Sequence, residues 1–196
     1  MALVDRVQRI LTQPVAEWPV IANEPTSVGA LYTGYVIQLA LIPPVAAFIG
    51  RLVFFHSLIG GLVLGLITFV LSLVAVYVVG LIAAALAPSF GGVNDQIAGV
   101  KWAAYSQTAA WVAGIANLIP IVGWLIVLIG ALYSLYLFWL GTVPMMRVGA
   151  DKAVAYALVV IVCEIVISFV IFAIAAAVVT AVTVGSMVTS GAYHHY

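Results

Sequence analysis

Long runs of apolar residues constrain this chain more than any other feature of its sequence. Residues 29–49, 58–86, 102–140 and 154–184 are almost free of charged side chains. A helix needs about 20 apolar residues to cross the hydrocarbon core of a bilayer. Only structures that satisfy their own backbone hydrogen bonds are stable there. We therefore predict an all-α polytopic membrane helix bundle.

The composition excludes an ordinary soluble protein. Of the 196 residues, 66% are hydrophobic and 6% are charged, whereas soluble domains carry roughly 25% charged residues. Because the formal net charge is zero, there is no overall positive charge to attract nucleic acid. The predicted partner is the lipid bilayer, and nucleic acid is not expected.

The run from 102 to 140 is too long for one membrane crossing. As a straight helix it would extend roughly 60 Å, about twice the hydrocarbon thickness. Asn117, Pro120 and Gly123 lie near its middle and are typical turn residues. We split the run there, which gives five transmembrane helices within a domain at 29–186, followed by a short C-terminal tail at 187–196.

The distribution of basic residues supports this split. With five spans, one side of the membrane has five basic residues and the other has only Arg51. The five are Arg6, Arg9, Lys101, Arg147 and Lys152. Since basic residues stay in the cytoplasm, we predict a cytoplasmic N-terminus and a C-terminus on the opposite side.

The N-terminal segment 1–28 is predicted to lie outside the spans. Leu3, Val7, Ile10 and Leu11 recur at helical spacing with polar residues between them, which predicts a short amphipathic helix on the membrane surface. Residues 12–27 contain Pro14, Pro19 and Pro25 and are predicted to form an irregular connector, with Trp18 near the lipid headgroups.

Two other breaks are expected near the end of the first span. Pro43 and Pro44 are predicted to kink or end that helix. Gly50, Arg51 and His56 are predicted to form a short loop before the second span.

Glu164 is the sharpest candidate for a functional residue. It lies in the apolar run of the last span, where an ionisable side chain costs about 2.5–3.5 kcal/mol on insertion scales. Two interpretations are open. In the first, Glu164 contacts an ion, a proton or a substrate; in the second, it makes a structural hydrogen bond to another helix. The candidate partners for that bond are Gln38, Gln107, Asn117 and Tyr133.

Gln38, Gln107 and Asn117 are the other strongly polar groups within the runs. Hydrogen bonding between helices is the interpretation we favour for them. Asn117 has a second one, as a cap of the turn beside Pro120.

Small residues recur at every fourth position in two of the runs and predict helix packing. Two kinds of packing are open: contact between helices of one chain, or an interface between copies of the chain. The residues are Gly61 and Gly65 in the second run and Ala173, Ala177, Ala181 and Gly185 in the last.

We find no motif that predicts an enzyme, a metal site or a cofactor. The sequence has no phosphate-binding glycine loop, no HExxH motif and no paired cysteines. Cys163 is the single cysteine, and we interpret it as a small buried apolar residue. His194 and His195 have no third ligand nearby in the sequence, so we predict an ordinary tail there rather than a metal site.

Three segments resemble the bacterial branch of the YIP domain family, which is similar to the eukaryotic Ypt/Rab-interacting membrane proteins. They are ILTQPVAEWPVI, GIANLIPIVGWLIVLIGALYSLYLFWLGT and DKAVAYAL. The resemblance implies a five-span protein with a cytoplasmic N-terminus, in the bacterial inner membrane. Eukaryotic relatives act with small GTPases in vesicle traffic, but this chain lacks their Asp-Leu-Tyr-Gly-Pro signature. The GTPase role is therefore not carried over.

Two functions remain open from the sequence. The first is a non-enzymatic scaffold or accessory subunit that binds lipids, a membrane protein partner or further copies of itself. The second is a small transporter or channel for an ion, a proton or a lipid that uses Glu164. The family resemblance, the predicted surface helix and the lack of catalytic motifs favour the first. Glu164, Gln38 and the break at Pro43 and Pro44 support the second, because buried acids and interrupted helices often mark binding sites in transporters.

Overall fold

The computed structural model describes residues 2–55, 58–119 and 121–192, and side chains at 55, 58–61, 179 and 182–192 are outside that description. Within the described residues the regular structure is entirely helical, which confirms the predicted all-α class. The helices are α1 (Leu3–Thr12), α2 (Pro14–Asn23), α3 (Val28–Leu31), α4 (Ile37–Ala40), α5 (Ile42–Phe55), α6 (Leu58–Leu86), α7 (Gln96–Ser106), α8 (Thr108–Ala113), α9 (Gly123–Met146) and α10 (Ala153–Ala192). A π-helical turn, Tyr32–Val36, joins α3 to α4, and 3₁₀ turns follow α6 (Ala87–Phe90) and α8 (Gly114–Leu118).

Four helical segments of the described chain are long and apolar enough to cross a membrane. They are Val28–Phe54, Leu62–Phe90, Gly123–Met146 and Ala153–Val178. The predicted count of five is therefore not reached by length and composition. The segment predicted as the third span folds as α7, α8 and a 3₁₀ turn, interrupted at Gln107, so neither helix is long enough to count.

The interrupted segment α7–α8 lies in the centre of the bundle. A Cβ added to Gly99 of α7 would overlap the carbonyl oxygen of Gly80 in α6. A Cβ added to Gly130 of α9 would likewise overlap the side chain of Ala113 in α8. Because protein rather than lipid covers this segment, its residues do not have to be uniformly apolar.

The predicted turn in the middle of the run 102–140 is confirmed for its described residues. The 3₁₀ turn ends at Leu118 and α9 begins at Gly123. A Cβ at Gly123 would overlap the carbonyl oxygen of Ala116, so glycine is needed where α9 turns back. Pro120 lies outside the described residues.

The prediction of an irregular connector at 12–27 was wrong. Pro14 begins α2, at a position where the missing N–H needs no partner. Pro19 lies inside the helix and removes one backbone hydrogen bond. Trp18 and Ile21 offset that loss because both are fully buried against the bundle. Trp18 is therefore not in a half-wet headgroup site as we predicted.

Helix α1 is amphipathic as predicted, and it packs against the rest of the bundle. It pairs with α2, its Ile10 is completely buried, and the Tyr133 hydroxyl donates a 2.7 Å hydrogen bond to the carbonyl of Leu11. Tyr133 is ten residues into α9, about 15 Å from its start. The α1–α2 hairpin therefore reaches the middle of α9.

The prolines of the first span break it without ending it. The helix is interrupted at Leu41, and Pro43 and Pro44 then occupy the first turn of α5, where missing N–H groups are tolerated. Gly50 and Arg51 are helical rather than part of a loop, and His56 lies outside the described residues. This correction places Arg51 inside α5.

Candidate functional site

Glu164 and Gln107 meet in the interior of the bundle. The Gln107 amide nitrogen donates a hydrogen bond to the Glu164 carboxylate. Gln107 lies at the junction of α7 and α8, so the break in the central segment places its side chain against α10. Of the four partners considered for Glu164, the structure brings only this one to it.

The other three candidates are elsewhere. Gln38 is exposed, and its amide nitrogen donates a 3.2 Å hydrogen bond to the Thr33 carbonyl of the same helical segment. Asn117 is half-buried at the turn before α9. Its backbone carbonyl oxygen would lie 2.6 Å from a Cβ added to Gly50. Tyr133 bonds to α1, as described above.

Two cavities flank the Gln107–Glu164 pair, and both residues line each of them. The first cavity, about 630 Å³, lies between α6, α7–α8 and α10, with Arg51 of α5 also on its wall. The second cavity, about 530 Å³, lies between α7–α8, α9 and α10. Both volumes are within the roughly 300–1,000 Å³ typical of ligand pockets. The pair therefore separates two spaces large enough for small molecules.

The second cavity contains a buried hydroxyl without a partner. Ser106 is 1% exposed, and its Oγ makes no hydrogen bond within the described part of the chain. The neighbouring Ser134 is satisfied, since its Oγ accepts from the Ala110 backbone nitrogen at 2.9 Å. A buried, unsatisfied hydroxyl costs about 1–3 kcal/mol. Ser106 is thus available to a polar group entering this cavity.

Sequence reasoning missed a second buried polar cluster, where the α1–α2 hairpin packs against the bundle. Arg6 of α1 forms ion pairs with Glu17 and Glu24. The side chains of Arg6 and Glu17 are each 5% exposed. The Lys101 ammonium donates a 2.8 Å hydrogen bond to the backbone carbonyl of Glu24. Because Arg6 was assigned to the polar face of a surface helix, its burial was not expected. The one available signal was a lone acid in the otherwise apolar segment PVAEWPVI.

Aromatic and hydroxyl contacts connect this cluster to the centre of the bundle. The Arg6 guanidinium lies 5.8 Å from the centre of the Tyr105 ring, and that ring packs against Tyr35 at 4.5 Å. The Tyr35 and Thr108 hydroxyls are 2.7 Å apart. The chain of contacts runs from α1 through Tyr105 of α7 and Tyr35 of the π-helical turn to Thr108 of α8.

The small residues predicted for helix packing fall into two groups. A Cβ at Gly65 would lie 3.7 Å from the Pro44 carbonyl oxygen, so this glycine faces α5 of the same chain. Ala173, Ala177 and Ala181 are exposed, so a packing role for them requires a second chain and stays a prediction. The surroundings of Gly61 and Gly185 are outside the described side chains, and His194 and His195 are outside the described residues.

The described residues contain no candidate metal site. No group of three or more histidine, cysteine, aspartate or glutamate side chains there could hold a metal ion. Cys163 is partly buried in α10, with its thiol free.

The sequence profile of the Yip1 domain matches residues 9–174. The chain belongs to the Yip1 domain family. The matched region includes both the Gln107–Glu164 pair and Glu17 of the N-terminal cluster, and it confirms the family resemblance drawn from the three sequence segments. Comparison with curated proteins and with solved structures found no match. This Yip1 domain protein is thus an integral membrane protein by its family and its apolar helices.

Proposed function

We propose that this Yip1 domain protein is a non-enzymatic membrane scaffold or accessory subunit that binds lipids or a membrane protein along α10. The length and exposure of α10 support this proposal. Its 40 residues extend about 60 Å, whereas the hydrocarbon core is about 30 Å thick. Phe169 and Phe172 are 71% and 73% exposed. Such a surface fits lipid or another chain rather than the protein's own core.

The topology we propose for this role has five membrane crossings. The segment α7–α8 with its 3₁₀ turn is the additional crossing, third in chain order, and it runs between α6 and α9. Its close crossings at Gly80–Gly99 and Ala113–Gly130 support this, since small residues allow membrane helices to approach closely. The N-terminus is then cytoplasmic and the C-terminus is on the opposite side, in a bacterial inner membrane.

A crosslinking experiment on the full chain tests the scaffold role. A photoreactive residue replaces Val170 of α10 or, as a matched control, Val70 of α6; these valines are 54% and 48% exposed. The proposal expects a discrete protein adduct at position 170 after irradiation in the native membrane, and only lipid adducts at position 70. Equal protein adducts at both positions would mean that α10 is not the binding surface.

Gentle extraction followed by native mass spectrometry identifies what is bound. A stoichiometric second protein supports the scaffold role. A second copy of this chain would make the exposed alanines of α10 the first residues to change. A lone chain that carries an ion favours the alternative below.

The alternative is a small transporter or channel for an ion, a proton or a lipid that uses Glu164. It is supported by the Ser106 hydroxyl, which has no hydrogen-bond partner among the described residues and lies in the second cavity with the Gln107–Glu164 pair on its wall. In proteoliposomes, loss of pH-dependent flux in a Glu164→Gln variant would support this function. Flux that is absent from the wild type, or unchanged in the variant, would contradict it.

A further inference from the structure

Among the described residues, Arg51 is the one basic residue at its end of the bundle, and no acidic side chain pairs with it there. Five of the six acidic residues of the chain lie in or beside the α1–α2 hairpin or the loops before α7 and α10, and they are Asp5, Glu17, Glu24, Asp95 and Asp151. The ion pairs found among the described residues both belong to Arg6. Arg51 is exposed and follows Gly50, which contacts the turn before α9. Its charge is thus available to an anion.

The first cavity is elongated and apolar along its length. Its α6 wall runs from Leu64 to Val79, about 22 Å at 1.5 Å per residue. Thr68 and Ser72 also line it, but their hydroxyls donate to carbonyls of their own helix, at 2.8 Å and 2.7 Å. The wall therefore offers mainly apolar surface between Arg51 and Glu164.

We propose that the first cavity binds an anionic phospholipid, with its phosphate at Arg51 and one acyl chain between α6 and α10. A guanidinium binds phosphate through two parallel hydrogen bonds. The acyl chains of one leaflet fill about half of a hydrocarbon core of about 30 Å, so the cavity is long enough for one. A free anion would use only the Arg51 end, whereas a lipid uses the whole cavity.

This site deepens the lipid-binding part of the proposed function and rests on it. Leu64 lies on the cavity wall, whereas Leu66, two residues further on, is 62% exposed. A tryptophan at either position adds the same bulk to the same helix, but only at Leu64 does it enter the cavity. Lys152 is an exposed lysine beyond the other end of the bundle. Lys152→Gln therefore removes one positive charge far from the cavity.

The test uses the full chain in vesicles of phosphatidylcholine with a minor share of phosphatidylglycerol. After gentle extraction, native mass spectrometry counts the lipids retained on each protein. We expect wild type, Lys152→Gln and Leu66→Trp to retain one phosphatidylglycerol in preference to phosphatidylcholine. Arg51→Gln should lower that preference about tenfold, because a charge-assisted hydrogen bond is lost. Leu64→Trp should lose both lipids while its thermal unfolding temperature stays close to that of Leu66→Trp.

Three results would overturn the site. They are equal retention of the two lipids by the wild type, an unchanged preference in Arg51→Gln, and equal loss of lipid in both tryptophan variants. Loss of folding in Leu64→Trp would leave Arg51→Gln to decide, since Arg51 is exposed. A stoichiometric partner protein without retained phosphatidylglycerol would overturn this site but leave the scaffold function in place. Retained lipid on a lone chain would support the site and count against a protein partner.

Discussion

Glu17 and Glu164 are two carboxylates in the interior of one small protein, and their surroundings differ. Glu17 is paired with the guanidinium of Arg6, within a cluster that is connected to α7. Arg6 borders two cavities, of about 130 and 520 Å³, but Glu17 is on the wall of neither. Glu164 is bonded to the neutral amide of Gln107, and cavities lie on both sides. The difference indicates that the first acid holds the N-terminal hairpin to the bundle, while the second is placed where a ligand can reach it.

The largest effect is expected from Glu17→Gln. The substitution keeps the shape of the side chain but leaves the buried Arg6 with Glu24 as its remaining acidic partner. Removing one member of a buried ion pair costs about 3–5 kcal/mol, and we expect the lower part of that range. Thermal unfolding in detergent measures it, and Arg6→Lys should be intermediate. An unchanged unfolding temperature would contradict the structural role of the hairpin.

A somewhat smaller loss is expected from Gly99→Leu in the central segment. The added side chain would force α7 away from the Gly80 carbonyl of α6, and overpacking of this kind costs about 1–3 kcal/mol. The control is Ala173→Leu on the exposed face of α10, which should change stability by no more than about 0.5 kcal/mol. Equal effects of the two variants would mean that α7 is not tightly enclosed.

Glu164→Gln makes the same chemical change as Glu17→Gln at the other carboxylate, and its effect should be small. The new amide can still accept a hydrogen bond from Gln107, and no charge is left uncompensated. We expect less than about 1 kcal/mol, in either direction, because the insertion cost of an acid is also removed. A loss as large as that of Glu17→Gln would show that Glu164 is mainly structural.

Gly65→Ala should have the smallest effect. Its Cβ would meet the Pro44 carbonyl oxygen at 3.7 Å, an ordinary van der Waals distance. Alanine also favours helix over glycine by up to about 1 kcal/mol, so we expect unchanged or slightly raised stability. A clear loss in the same unfolding assay would mean that α5 and α6 pack more closely than this contact implies.

The sequence predicted the apolar helices well and the polar contacts poorly. Apolar runs are local, so the turn near Asn117 and the starts of α6 and α10 could be read from the chain itself. The burial of Arg6 could not, because it depends on Glu17 and on Tyr105, which is 99 positions away. Pro14 and Pro19 indicated an irregular segment, but tertiary burial of Trp18 stabilises a helix there. Glu164 was a candidate from its position alone, yet its partner came from the fold.

The sequence by itself determined that this protein is a helical membrane protein of the Yip1 domain family, because hydrophobicity and helix length are properties of contiguous residues. Only the tertiary structure decided which polar groups meet. It enclosed the interrupted segment α7–α8, so that a glutamine at the break could reach Glu164. It also left a gap between α6 and α10 with Arg51 beside it. These features depend on how helices pack, and helix packing is set by contacts between residues far apart in the chain.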